Sequence, residues 1–368
     1  MDSILYIGQT IVAFLAVLTV LVFVHEWGHY IVARINGVRV EVFSIGFGPE
    51  VWGFNDKKGT RWKFSWIPLG GYVKFFGDAT EASAPSNALP AMTEEEKKVA
   101  FHYKTLPQKS AIVFAGPAVN FLFAILIIAG LYFTYGRVEI APVVGEVLEG
   151  GAAEEAGILA GDRILSIDGE EITTFQDIRE HLLFKVEEEV NIDLLRNSEQ
   201  LTLNFALNTV NDEDILGQPT KVRQIGIRSN PEEIELIKFG PFSALWQATL
   251  ETKNLTMRNL QGLGQMITGD RSVKELGGPI TIARVAGKTA EHGIVSLINF
   301  AALVSIGLGM INLFPIPVLD GGHLLYYAIE AIRRKKMSEA AQEVGFKIGG
   351  VLVLSLMVFA FYNDLFKF

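Results

Sequence analysis

The sequence predicts a polytopic α-helical membrane protein of about four transmembrane helices. It adds a membrane-associated β-hairpin on the cytoplasmic side and one α+β domain outside the cytoplasm. Three observations carry this. Four apolar stretches are long enough to cross a bilayer. The 368-residue chain is 49% hydrophobic with a mean hydropathy of +0.31, too apolar for an ordinary soluble enzyme and too polar for membrane helices alone. Lys and Arg are also unevenly shared among the connecting loops, which orients the spans.

The first span, 4–33, carries no charge except Glu26, which sits inside His25-Glu26-Trp27-Gly28-His29. An ionisable side chain at membrane depth is costly, so a chain that keeps one there has a use for it. On a helix, His25 and His29 lie one turn apart on one face and can grip a single metal ion. Glu26 is close enough to handle a reacting water without being a ligand. The N-terminus has no basic region and no small-residue cleavage site, so this segment is expected to be retained.

The second span, 110–135, is uncharged and holds Asn120. The third, 294–314, is rich in Gly and Ala, which suits close helix packing. The fourth runs over 348–362. Arg333-Arg334-Lys335-Lys336 lies between spans three and four, and the 34–109 loop carries eleven Lys and Arg. The positive-inside rule places both in the cytoplasm, leaving the termini and the 136–292 segment outside. At 1.5 Å per residue, His25 is about 31 Å from the start of its helix, so the metal belongs near the cytoplasmic leaflet.

In the first loop, residues 61–76 read as a hairpin, with Trp62, Phe64 and Trp66 alternating with Lys63 and Ser65 and a turn at Pro68-Leu69-Gly70-Gly71. Ile67, Gly70, Gly71, Tyr72 and Val73 would form a strand edge that pairs with an extended peptide; the alternative is a hairpin packed on its own helices. The 78–93 stretch has the composition of a disordered segment. Farther on, short strands are expected around 143–148, 190–195 and 201–207. Gly161-Asp162 and Asp168-Gly169 mark turns, a helix lies near 175–184, and an amphipathic helix spans 242–267. The implied division is 1–137, 138–230, 231–292 and 293–368.

A hydrolytic zinc site wants a third ligand and an open position. The best donor is Asp320, in Asn312-Leu313-Phe314-Pro315-Ile316-Pro317-Val318-Leu319-Asp320-Gly321-Gly322-His323, at the cytoplasmic end of span three. Asp320 could instead cap a turn or helix, and His323 is a second possible donor. Pro315 and Pro317 cannot continue a helix, so the span must unwind there and line a cavity. Asn120 and Asn312 suit either hydrogen bonding between helices or holding substrate. His102, His181 and His292 are isolated and receive no role.

These residues resemble the site-2 protease family of membrane-embedded zinc metalloproteases, particularly the bacterial regulator-of-sigma-E protease group. The likeness rests on His25 to His29, Gly46-Phe47-Gly48-Pro49, Ile67 to Val73, Ala115-Gly116-Pro117-Ala118-Val119-Asn120-Phe121 and Asn312 to His323. It implies one zinc per chain held by His25, His29 and Asp320, with Glu26 catalytic and Asn120, Asn312, Pro315, Pro317 and the 67–73 strand at the substrate. It implies a bacterial inner-membrane enzyme that cuts single-pass membrane proteins, such as an anti-sigma factor or leftover signal peptides. The 161–169 stretch looks like part of an extracytoplasmic PDZ domain, whose groove strand would include Val143, Val144 and Gly145. Two departures stand out: a single PDZ-like region where larger relatives carry two, and Gly307 where some relatives carry Asn.

Other classes fit less well. The net charge of −9 and the lack of a large basic cluster argue against nucleic-acid binding. With no cysteine, disulfides and thiolate ligands are excluded. A membrane-anchored PDZ scaffold with a structural metal would need four protein ligands, and three good candidates are present. A metal transporter would need more intramembrane carboxylates.

Overall fold

The computed structural model describes residues 2–77, 92–183, 185, 188–213, 219–230 and 233–366. Most of the 78–93 stretch expected to be disordered therefore lies outside the described residues. The chain opens with α1 (Asp2–Ile35), then β1 (Val40–Asn55), β2 (Arg61–Phe75), α2 (Glu94–Val99) and α3 (Leu106–Tyr135). Next come β3 (Arg137–Ile140), β4 (Val144–Val147), α4 (Ala152–Glu155), β5 (Arg163–Ile167), β6 (Glu170–Glu171) and α5 (Phe175–Leu183). Strands β7 (Glu189–Arg196), β8 (Glu199–Ala206), β9 (Asn208–Glu213), β10 (Pro219–Gln224), β11 (Ile227–Ser229) and β12 (Ile234–Ile237) follow. The chain closes with α6 (Pro241–Thr268), α7 (Pro279–Glu291), α8 (Ile294–Asn312), α9 (Asp320–Arg333) and α10 (Glu339–Phe366).

Among the described residues, four helices are long and apolar enough to cross a membrane: Tyr6–Ile35, Leu106–Tyr135, Ile294–Asn312 and Ala340–Phe366. The buried residues of α1 fall on two faces, Ala13, Val17, Leu21 and Gly28 on one and Val22, Glu26, Tyr30 and Ala33 on the other, so its second half is packed on more than one side. Its other faces show Val12 and Trp27 exposed, apolar surface suited to lipid. Helix α8 stops at Asn312, and 313–319 is non-helical, as its two prolines require.

The residues divide into two compact units, one of 1–128, 247–257 and 274–368, the other of 129–246 and 258–273. In the first unit the hairpin differs from the expected one. The turn connecting β1 to β2 lies at 56–60, where Asp56 Oδ1 accepts from Lys58 N at 2.8 Å and Thr60 N at 2.9 Å. Its Oδ2 accepts from Trp62 Nε1 at 3.1 Å and Tyr30 Oη at 3.3 Å, which ties the turn to α1. The 61–64 and 71–74 stretches of β2 do not pair with each other. Both pair with 42–45 of β1, on opposite edges: Phe43 faces Trp62 on one side and Val73 on the other. The Pro68–Gly71 stretch thus carries the chain around the end of a β1 segment rather than making a two-strand turn. A local sequence pattern cannot distinguish these topologies.

Helices α7 and α9 were not foreseen. Helix α7 begins with Pro279 but has no local side-chain cap; its cap comes from far along the chain. The buried carboxylate of Asp364 accepts from the N–H groups of Gly278, Ile280 and Thr281 at 2.9, 2.9 and 3.1 Å. The run of glycines hid α9. Added Cβ atoms on Gly321 and Gly322 would overlap the carbonyls of Leu313 and Ile316, so these glycines let the helix fold back onto 313–319.

The second unit contains a four-stranded antiparallel sheet ordered β6-β5-β7-β8, with pairs β4–β11, β3–β12 and β9–β10. Its core gathers Ile158, Ile164, Ile167, Ile192 and Leu194 with Ile178 and Leu182 of α5. The expectation for Val143, Val144 and Gly145 is corrected here. Val144 N donates to Asp162 O at 2.8 Å and Val144 O accepts from Gly161 N at 2.7 Å, while β11 pairs with β4 on its other edge. With both edges occupied, this strand has no room for an added peptide strand.

Candidate metal centre

Three glycines allow the helices of the site to approach closely. A Cβ on Gly28 would overlap Ala115 O, and one on Gly116 would overlap His29 Nε2. A Cβ on Gly309 of α8 would come within 3.0 Å of Pro117 O. Helix α3 therefore meets α1 at Gly28 and α8 at Gly309 with backbone close to backbone, and receives the His29 ring at Gly116, the small-residue packing that membrane helices favour.

His25 Nε2 and His29 Nε2 lie 3.3 Å apart. Asp320 Oδ2 lies 3.3 Å from the first and 3.5 Å from the second. A tetrahedral zinc bonded to nitrogen and oxygen at about 2.0–2.1 Å spaces its ligands by about 3.3 Å, so the three atoms stand where such ligands would. Asp320 Oδ2 is also buried without a hydrogen-bond partner. An orphaned carboxylate oxygen beside two imidazoles fits a cation. Burial pushes the Asp320 carboxyl up, but the imidazoles of His29 and His25 outweigh it and hold it below the ordinary range.

The imidazoles are fixed from behind. His29 Nδ1 donates to Ile112 O at 2.9 Å. His25 Nδ1 lies 3.1 Å from the side-chain amide of Asn120. Glu26 is buried on the adjoining edge, where a Cβ on Gly71 would fall 3.1 Å from its Cγ. Strand β2 therefore runs with bare backbone against the carboxylate.

A cavity of about 630 Å³ opens from these residues. Gly71, Tyr72, Val73 and Asn312 line it. Ile67, Gly70, Pro315 and Pro317 are not among its lining residues: Gly70 sits against the Phe47 ring, and Pro317 against Gly345 and Gly349 of α10. Asn120 is fully buried behind His25, a place that does not suit contact with substrate. His323 lines the cavity but does not join the three-ligand group. His102 lines it too, its imidazole held low by burial and by Lys109 and Lys336. Gly116, which the sequence marks only as part of the 115–121 motif, stands four residues from Asn120, so both lie on one face of α3.

Residues 13–356 match the model of peptidase family M50. The chain is 44% identical over 359 residues to a Rhizobium meliloti protein named "Putative zinc metalloprotease", covering 97% of this chain and 96% of that one. It is 38% identical over 362 residues to a Rickettsia conorii protein of the same name, covering 97% and 98%. It is 33% identical over 456 aligned positions to "Protease RseP" of Yersinia pestis, covering 96% and 98%.

Proposed function

The chain belongs to peptidase family M50 and is a zinc metalloprotease, and from that premise we propose that it cleaves membrane-embedded segments of other proteins. One observation carries the reading: two imidazole nitrogens on a helix suited to cross a membrane and an orphaned buried carboxylate oxygen of α9, at the mutual distances of tetrahedral ligands. Three protein donors leave a fourth position open, which favours a hydrolytic site over a closed structural one.

His25, His29 and Asp320 would hold the ion, one per chain. When bound, zinc supplies Lewis acidity to a water and to the scissile carbonyl. Glu26 takes a proton from the attacking water and delivers it to the leaving amine nitrogen. A helical substrate has its carbonyls engaged, so the segment to be cut must be extended. The 71–73 edge beside Glu26 would pair with it, and Asn312, which lines the same cavity, would hold a substrate carbonyl.

The basic cluster at 333–336 and the basic 34–109 loop support a bacterial inner-membrane orientation with the metal near the cytoplasmic leaflet and 136–292 outside. The 138–230 region would act as a PDZ-like filter, and a membrane-bound anti-sigma factor or leftover signal peptides would be fitting substrates. Its groove strand is then β11, which among the described residues pairs only with β4.

The test uses the full chain in detergent with a model transmembrane substrate. We expect one zinc per chain, cleavage abolished by a chelator and restored by zinc, and a loss of about 10² to 10⁴-fold in Glu26→Gln with zinc retained. Cleavage that survives complete metal removal, or wild-type turnover in Glu26→Gln, would overturn the reading.

A further inference from the structure

An imidazole that ligates through Nε2 must carry its proton on Nδ1, so each ligand needs an acceptor behind it. Helix α3 supplies a partner to both. For His29 it is a backbone carbonyl, Ile112 O, which can only accept. For His25 it is the Asn120 amide, which can present either end.

Asn120 is held in place independently of its side chain. Ser305 Oγ of α8 donates to Asn120 O at 2.8 Å, and both residues are fully buried. Its Oδ1, buried with no donor when Nδ2 faces His25, gains one when the amide turns over. The ligand geometry decides between the two orientations. His25 Nε2 faces Asp320 Oδ2 and His29 Nε2, so with zinc held by these three atoms its lone pair is given to the ion and its proton lies on Nδ1.

We infer that Asn120 is a positioning residue for the metal centre: its Oδ1 accepts from His25 Nδ1–H, fixing the ligating tautomer and the plane of the ring. This role depends on the zinc reading above. It also replaces the expectation that Asn120 contacts substrate.

The experiment compares full-length wild type, Asn120→Leu and Asn120→Asp in detergent. Asn120→Leu fills the same volume without an acceptor, whereas Asn120→Asp keeps an acceptor oxygen. Zinc affinity is read by chelator competition, and folding by the melting temperature of the zinc-free protein. We expect Asn120→Leu to bind zinc about 10 to 100-fold more weakly, and Asn120→Asp to bind at least as tightly as wild type. For substrate, Asn120→Asp should leave KM unchanged. Wild-type zinc affinity in Asn120→Leu, or equal weakening in both variants, would overturn the role. If Asn120→Leu melts too low to assay, the Asp variant decides: weaker binding than wild type overturns the role. A wild-type protein that holds no zinc would instead overturn the zinc reading, so the two failures are distinguishable.

Discussion

The helical region around His25 and the sheet around Ile192 are both buried, yet they are built by opposite means. Around His25 the packing residues are glycines, and side chains of α1 rest on bare backbone of α3 and β2. Around Ile192 the packing residues are branched aliphatics from β5, β7 and α5. In the first region the site depends on atoms that are missing; in the second, stability depends on methyl groups that are present. The physical reason is the solvent. Between membrane helices there is little hydrophobic driving force, so close approach and polar contacts do the holding. In a sheet core of branched aliphatics, removing apolar surface from water is the main favourable term.

The sharpest way to break this contrast is to add one carbon beside the imidazoles. Gly116→Ala would push its Cβ into His29 Nε2 and against His25 Cε1. Displacing ligands by this much should cost about 10²-fold in turnover and weaken zinc binding, with little change in the sheet unit. Steady-state kinetics and chelator competition would check it. Normal activity would mean that the helices separate easily, and that the glycine contact is not what sets the site.

The reverse change in the other region removes carbons. Ile192 is fully buried in β7, and Ile192→Ala should destabilise that unit by about 2–5 kcal/mol, measured by denaturant titration of the detergent-solubilised protein. Zinc affinity should be unchanged. A parallel fall in zinc affinity would show that the two regions do not respond independently.

The smallest effect is electrostatic. Arg196 Nε and Nη2 donate to Asp162 at 2.8 and 2.6 Å, and Leu159 N donates to the same carboxylate at 2.8 Å. Burial pushes the Asp162 carboxyl up, but these donors outweigh it and hold its pKa below the ordinary value. A carboxyl lowered in the folded state contributes stability above the unfolded value of about 3.9 and loses it as pH falls through the folded value. Arg196→Ala should therefore lower the melting temperature at pH 7, with a difference from wild type that shrinks on acidification below about pH 4. A pH-independent difference would assign Arg196 a packing role.

The sequence alone carries the local constraints of the candidate site and of the apolar helices. The spacing of His25 and His29 fixes their shared helix face with Glu26 beside it, an apolar length fixes a candidate span, and Pro315 with Pro317 forbids a continued helix at 313–319. Each is a constraint between near neighbours in the chain. The tertiary structure decided what depends on distant ones. The 71–74 strand lies beside 42–45 rather than 61–64, Asp364 caps a helix 84 residues earlier, and Asn120 stands behind His25 rather than in the cavity. A side-chain amide or a bare glycine has the same local preferences wherever it is used. Which carbonyl, imidazole or carboxylate it meets is set only when the helices pack.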